Sequence, residues 1–288
     1  AAEPDSVQDA LSALTEAANN TVGGTVPGAG NVISGNGNGG VRINSSTATQ
    51  NLVQGNKIGT RADGITSLAN SGHGVLFLNS ASMNTIGGVA GEGNIIAFNI
   101  NAGVKVETGT GNAVTANSIF SNTGLGIDLG PNGVTANDLN DPDSGANTLQ
   151  NFPVLTTSNG GIGGGVNIQG TLNSTSNTTF TLHFYSNTTC DGSGNGEGQT
   201  FLGSAPVTTV GNNVTFNITL PGASATVGQF ITATATNPAG NTSEFSACVA
   251  YGAADLAISK VASAPTIVVG SNVTYTITLT INGPDPVS

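Results

Sequence analysis

Between Asn20 and Leu129 the apolar residues fall into a three-beat phrase that recurs four times: Asn-x-(Val/Ile), then Asn-x-Ile, then Gly-(Val/Ile)-x-(apolar). The first beats are Asn20-Thr21-Val22, Asn51-Leu52-Val53, Asn84-Thr85-Ile86 and Asn112-Ala113-Val114; the second begin at Asn31, Asn56, Asn94 and Asn117, and the third at Gly40, Gly74, Gly103 and Gly126. A unit of about 30 residues with three short strands cannot bury its apolar face alone, so successive units must stack. Alternation along a strand turns Val41/Ile43, Val75/Phe77, Val104/Val106 and Ile127/Leu129 inward and Arg42, Leu76, Lys105 and Asp128 outward. The pattern predicts an all-β chain whose residues 19–151 form a right-handed parallel β-helix of about four rungs. The recurring Asn suits tight corners, where it bonds backbone and the Asn of the next rung and tolerates left-handed angles. Glycine opens the third strand for conformational freedom.

Elsewhere the period changes. Val7, Ala10, Leu11, Leu14 and Ala17 or Ala18 follow a capping Asp5 or Ser6 at helical spacing, predicting an N-terminal helix within residues 1–18 that plugs the open end of the coil. Unequal loops, Thr25–Gly30, Gly59–His73 and Val89–Gly93, are expected to gather on one side. Residues 152–252 alternate simply (Val166/Ile168, Phe180/Leu182/Phe184, Val214/Phe216/Ile218/Leu220, Phe230/Thr232/Thr234, Phe245/Ala247), which predicts an Ig-like antiparallel β-sandwich. Residues 253–288 hold strand patterns too short for a core of their own. They either dock on the same chain or complete a sheet in a neighbouring copy by strand addition through 273–288.

Only 7% of residues are charged and the net charge is −11, which argues against nucleic acid and against an anionic membrane surface. No apolar run reaches the roughly 18 residues that span a bilayer, so direct membrane insertion is not expected; a leader removed before Ala1 is compatible with the sequence. Cys190 and Cys248, with only His73 and His183 in the chain, exclude a structural zinc site; a disulfide is the natural reading and two buried thiols the alternative. A disulfide would place the protein outside the cytoplasm. Nine Asn-x-Ser/Thr sequons occur, and Asn173, Asn177, Asn187, Asn213, Asn217 and Asn241 are glycosylation candidates.

The phrases Asn51-Leu-Val-Gln-Gly-Asn-Lys-Ile-Gly, Gly126-Ile-Asp-Leu-Gly and Gly196-Glu-Gly-Gln-Thr-Phe-Leu-Gly resemble large bacterial surface proteins with right-handed β-helix repeats. Gly228-Gln-Phe-Ile-Thr-Ala-Thr-Ala-Thr-Asn-Pro-Ala-Gly-Asn-Thr-Ser-Glu-Phe-Ser resembles the sandwich that follows the helix in them. The segment from Ala254 resembles the opening of a repeated surface domain of unknown function. The resemblance covers nearly the whole chain and implies secretion and a surface, adhesive or scaffold role.

For chemistry, the outward column offers Arg42, Lys105 and Asp128 as weak catalytic candidates of a polysaccharide lyase, with an exposed Lys105–Asp128 ion pair as the plainer reading. Glu92, Glu107 and Asp128 sit at different corners, so no hydrolase pair of carboxylates is expected. Asp138, Asp141 and Asp143 carry the hard oxygens that calcium prefers, without EF-hand spacing; a solvated acidic turn is the alternative. Asp191 and Glu197 make a weaker second cluster. The expectation is an extracellular structural or adhesive protein, a subunit of a surface filament self-assembled by strand addition or engaged with surface glycans, against the alternatives of a carbohydrate-active β-helix enzyme (polysaccharide lyase or hydrolase) or a carbohydrate-binding module.

Overall fold

The computed structural model describes residues 14–161, 164–252, 256–263 and 272–281, and the architecture is all-β. Each beat of the repeat builds one parallel sheet, and the three sheets stack as in a β-helix. The first comprises β2 (Thr21–Gly23), β5 (Leu52–Gln54), β8 (Thr85–Gly87) and β11 (Ala113–Thr115). The second comprises β3 (Val32–Ile33), β6 (Lys57–Ile58), β9 (Ile95–Ala97) and β12 (Ser118–Phe120). The third comprises β1 (Leu14–Thr15), β4 (Val41–Asn44), β7 (Val75–Leu78), β10 (Val104–Val106) and β13 (Ile127–Leu129). Register follows the repeat, with Val41 opposite Val75, Val75 opposite Val104 and Val104 opposite Ile127. The eight residues assigned inward in the third strands are each no more than 1% exposed.

Side-chain amides stack with the strands. Asn51 Nδ2 donates to Asn84 Oδ1 at 2.9 Å and Asn84 Nδ2 to Asn112 Oδ1 at 3.0 Å, and Asn56, Asn94 and Asn117 repeat the arrangement at the second corner. A third ladder, Asn36–Asn70–Asn99–Asn122, runs along the remaining corner. The ladder residues themselves do not take the left-handed angles expected of them; the residue before does, as at Gln50, Met83, Phe98 and Ser121. Nor is freedom of φ what fixes Gly74 and Gly126. A Cβ at Gly74 would stand 2.5 Å from Ile96 Cγ2, and one at Gly126 would stand 2.8 Å from Phe245 Cε2, so both positions are small because the neighbouring layer sits against them.

The N-terminal helix is corrected where it can be followed. Leu14 and Thr15 form β1, paired with Ile43 and Asn44, and Glu16 turns the chain with φ 58. The free edge of β4 offers a ladder of backbone bonds that outweighs the weak helical stripe. Residues 1–13 of that expected helix lie outside the described residues.

The second region is a single mixed sheet rather than an antiparallel sandwich. It comprises β14 (Val154–Gly160), β15 (Val166–Asn173), β16 (Thr179–Asn187), β17 (Thr200–Thr208), β18 (Asn213–Leu220), β19 (Phe230–Thr236) and β20 (Val249–Gly252), in the order β17-β16-β19-β20-β14-β15-β18. β14 and β20 pair in parallel, and the edge strands β17 and β18 approach each other, so the sheet nearly closes around Phe180, Leu182, Phe184, Phe216 and Ile231. Alternation gives a strand its faces but not the direction of its partner. In β19 the core face is Ile231, Ala233 and Ala235, the opposite phase from the expected Phe230/Thr232/Thr234. Cys190 and Cys248 are joined in a disulfide, fastening the loop after β16 to the segment entering β20. β21 (Leu256–Ala262) and β22 (Tyr275–Ile281) form a two-stranded antiparallel hairpin, the two strands pairing with each other among the described residues.

Candidate functional site

At its C-terminal end the coil would expose three strand edges and the last members of its amide ladders. Two segments of the mixed sheet cover them, 197–199 and 241–245. Val114 N of β11 donates to Thr242 Oγ1 at 3.0 Å, Ile119 N of β12 to Gly198 O at 2.8 Å, and Leu129 N of β13 to Glu244 Oε1 at 2.9 Å. The ladder ending at Asn122 passes to Glu197, whose Oε1 accepts from both Asn122 N (3.0 Å) and Asn122 Nδ2 (2.9 Å). Asn112 N donates likewise to Asn147 Oδ1, in the linker. Each ladder Asn gives its backbone N–H and its Nδ2 to the Oδ1 of the next Asn, so the last Asn of a ladder needs an acceptor, and a carboxylate supplies one without adding donors of its own. Phe245 and Tyr185 complete the apolar seal by joining the core of the coil. Phe245 therefore serves the coil and not the sheet in which the alternation placed it, and Glu197, a member of the weaker second cluster with Asp191, is engaged here through Oε1.

Burial raises both caps to about 7, against hydrogen bonds from Asn122 and Ser121 at Glu197 and from Leu129 and Thr135 at Glu244 that act the other way.

At its C-terminal end the outward column is not a solvated face. Lys105 and Asp128 are register partners, but they are 2% and 6% exposed. Lys105 Nζ donates to Asp128 Oδ1 and Gly130 O, each at 2.8 Å, and to Asn132 Oδ1 at 3.0 Å. The chain after β13 folds over the pair and satisfies the ammonium, correcting the exposed ion pair expected from the sequence. Arg42 is exposed two rungs away. Replacing Lys105 with Met would strand the Asp128 carboxylate, and a loss of about 3–5 kcal/mol in urea unfolding is expected. Adding Asp128→Leu should restore most of it.

Beside this column His73 and Asn101 line both a cavity of about 590 Å³, which also touches Asp128 and Asp191, and one of about 350 Å³, which also touches Arg42 and Leu76. Burial, then Lys105, lowers the His73 pKa. The loops 25–30 and 89–93 flank a separate hollow of about 390 Å³.

In the linker, Asp138, Asp141 and Asp143 come together, each presenting a carboxylate oxygen within 4.8 Å of the others. Asp141 Oδ1 accepts from Asn151 N, and its Oδ2 accepts from Gln150 Nε2 and Ser174 Oγ. Burial is the largest cause raising Asp141 and Asp143, and neighbouring carboxylates add to it.

Among the glycosylation candidates, Asn187 and Asn241 are buried, with Asn187 Nδ2 on Thr232 Oγ1 and Asn241 Oδ1 accepting from Gly111 N, so the fold closes both to modification. Asn177, Asn213 and Asn217 are exposed and Asn173 half-buried.

No protein-family model matches the chain, and no curated protein matches it. No helix among the described residues is long and apolar enough to cross a membrane.

The third amide ladder and the two glutamate caps were missed in the sequence. The ladder has a signal, Asn three residues after the second-beat Ile in Ile33-x-x-Asn36, Ile96-x-x-Asn99 and Ile119-x-x-Asn122, which the insertion before Asn70 interrupts. The caps have none, because they come from a different part of the chain.

Proposed function

We propose that this chain is an extracellular structural protein, a short right-handed β-helix rod closed at one end by its own mixed sheet, that serves as a surface scaffold or adhesin. The observation carrying this reading is where the polar groups go. The recurring Asn residues are spent on ladders, Glu197 and Glu244 on closing the end, and Lys105 and Asp128 on each other, which leaves in the column only the exposed Arg42, with no carboxylate beside it in register. Right-handed turning is the sense that parallel crossovers adopt. The disulfide is compatible with an oxidising compartment.

Self-assembly by strand addition is part of the proposal. Val261, Tyr275 and Ile277 of the β21–β22 hairpin are exposed at 63%, 53% and 67%, and a hairpin alone is marginal in water. Residues 282–288, the rest of the expected donor segment, lie outside the described residues. The second reading is glycan binding, favoured by the two cavities that meet at His73 and Asn101.

Electron microscopy of the native material is expected to show rods or filaments, and filaments should be lost on deleting residues 273–288. Unchanged assembly after that deletion removes strand addition. A uronate-lyase assay is expected to stay at background. Product absorbance that disappears with Arg42→Ala, an exposed position that the fold tolerates, would overturn the structural reading.

A further inference from the structure

The linker cluster has a second feature besides its three carboxylates. Asp138 Oδ1, Asp143 Oδ1 and Gln150 Oε1 are closed off from solvent without a hydrogen-bond donor among the described residues. Gln150 is only 2% exposed, and its amide stands at the cluster, with Nε2 2.6 Å from Asp141 Oδ2. Buried acceptors without donors are costly, and carboxylates this close repel one another. No Lys or Arg occurs between Lys105 and Lys260, so neither the linker nor the mixed sheet supplies a cation of its own.

We propose that Asp138, Asp141 and Asp143 hold a calcium ion that clamps the linker to the mixed sheet, with the Gln150 amide turned over on binding so that Oε1, in place of Nε2, faces the ion. Two oxygens bound to one calcium ion at about 2.4 Å stand no more than about 4.8 Å apart, and the three carboxylates lie close enough together to meet that bound. The donors are all hard oxygens, without imidazole or thiolate. Because the unpartnered atoms are shut away from water, an ion entering must shed its hydration, which magnesium does reluctantly.

The cluster is already tied to both sides of the joint. Asn140 N donates to Asn173 Oδ1, Asn151 Nδ2 to Asn173 O, and Gln150 Nε2 to Ser174 Oγ, so an ion here fixes the turn 138–143 against the end of β15 and the connection between β15 and β16.

The test is calorimetric titration of calcium chloride into the chelator-treated full chain, with magnesium chloride as control and melting in parallel. One ion per chain is expected, with the melting temperature raised by about 5 °C at saturating calcium. Asp138→Asn and Asp143→Asn should each weaken binding at least about tenfold, in keeping with the loss of one charged ligand. In chelator, Asp143→Asn should melt no lower than the parent, because it relieves repulsion without emptying the core. Absence of binding heat together with equal melting in calcium and chelator would overturn the site. Unchanged affinity in both variants would overturn its ligands, and equal binding of magnesium would overturn the choice of ion.

Discussion

Replacing Asn84 with alanine is expected to destabilise the chain by on the order of 4 kcal/mol, far more than the same change at Asn20. Asn84 lies inside a ladder and is fully buried. Its Oδ1 accepts from Asn51 N and Asn51 Nδ2, and its Nδ2 donates to Ala48 O, Ser82 O and Asn112 Oδ1. Removing the amide leaves backbone groups of two turns without partners and out of reach of water, and each costs about 1 kcal/mol or more. Asn20, at the exposed end, donates to Asn51 Oδ1 and Ala18 O, and water can replace its bonds. Asn84→Asp is the informative control: it keeps the size and the acceptor but removes the donor and faces Asn112 Oδ1 with another oxygen. It should be as damaging as alanine. Urea unfolding checks all three, and equal losses at Asn20 and Asn84 would mean that the ladders fill corners without holding them.

The coil could be read from the sequence because its information is periodic. Val41, Val75, Val104 and Ile127 recur in one column, and a column is the physical object that a stack requires. What could not be read is how the column ends. The alternation of Phe180, Leu182 and Phe184 marks a strand, but it does not show that the sheet holding it is mixed, nor that Tyr185 would leave that strand's own core for the core of the coil. The fate of Lys105 and Asp128 was hidden for a similar reason. Their adjacency follows from register, whereas their burial depends on Gly130 and Asn132 folding back over them. The acidic residues of 138–143 were visible as a composition, and only the fold brings the Gln150 amide to them.

The closing glutamates make the second large effect one of pH. Burial holds Glu197 and Glu244 at about 7, above the 4.5 of a free carboxyl. Between those values the folded chain keeps protons that the unfolded chain has released. The stability each group contributes is therefore complete below about pH 4.5 and is lost as pH rises through about 7, by on the order of 3 kcal/mol per group. His183, held down to about 4 by burial, has the opposite sign: its contribution is present above about 6.5 and lost as the pH falls. The whole-chain profile mixes these trends, so the clean measurement is the difference between the parent and Glu197→Gln. A glutamine can keep Oε1 as the acceptor for Asn122 N and Nδ2 while removing the charge. Its advantage over the parent should grow by about 3 kcal/mol between pH 5 and pH 8 in urea unfolding. Glu244→Gln should not match it, because Glu244 uses both oxygens, Oε1 for Leu129 N and Oε2 for Thr135 N, and an amide would turn a donor toward one of them. A difference for Glu197→Gln that stays flat across that range would show that the end of the coil is open to water and that the carboxylate caps it without being buried by it.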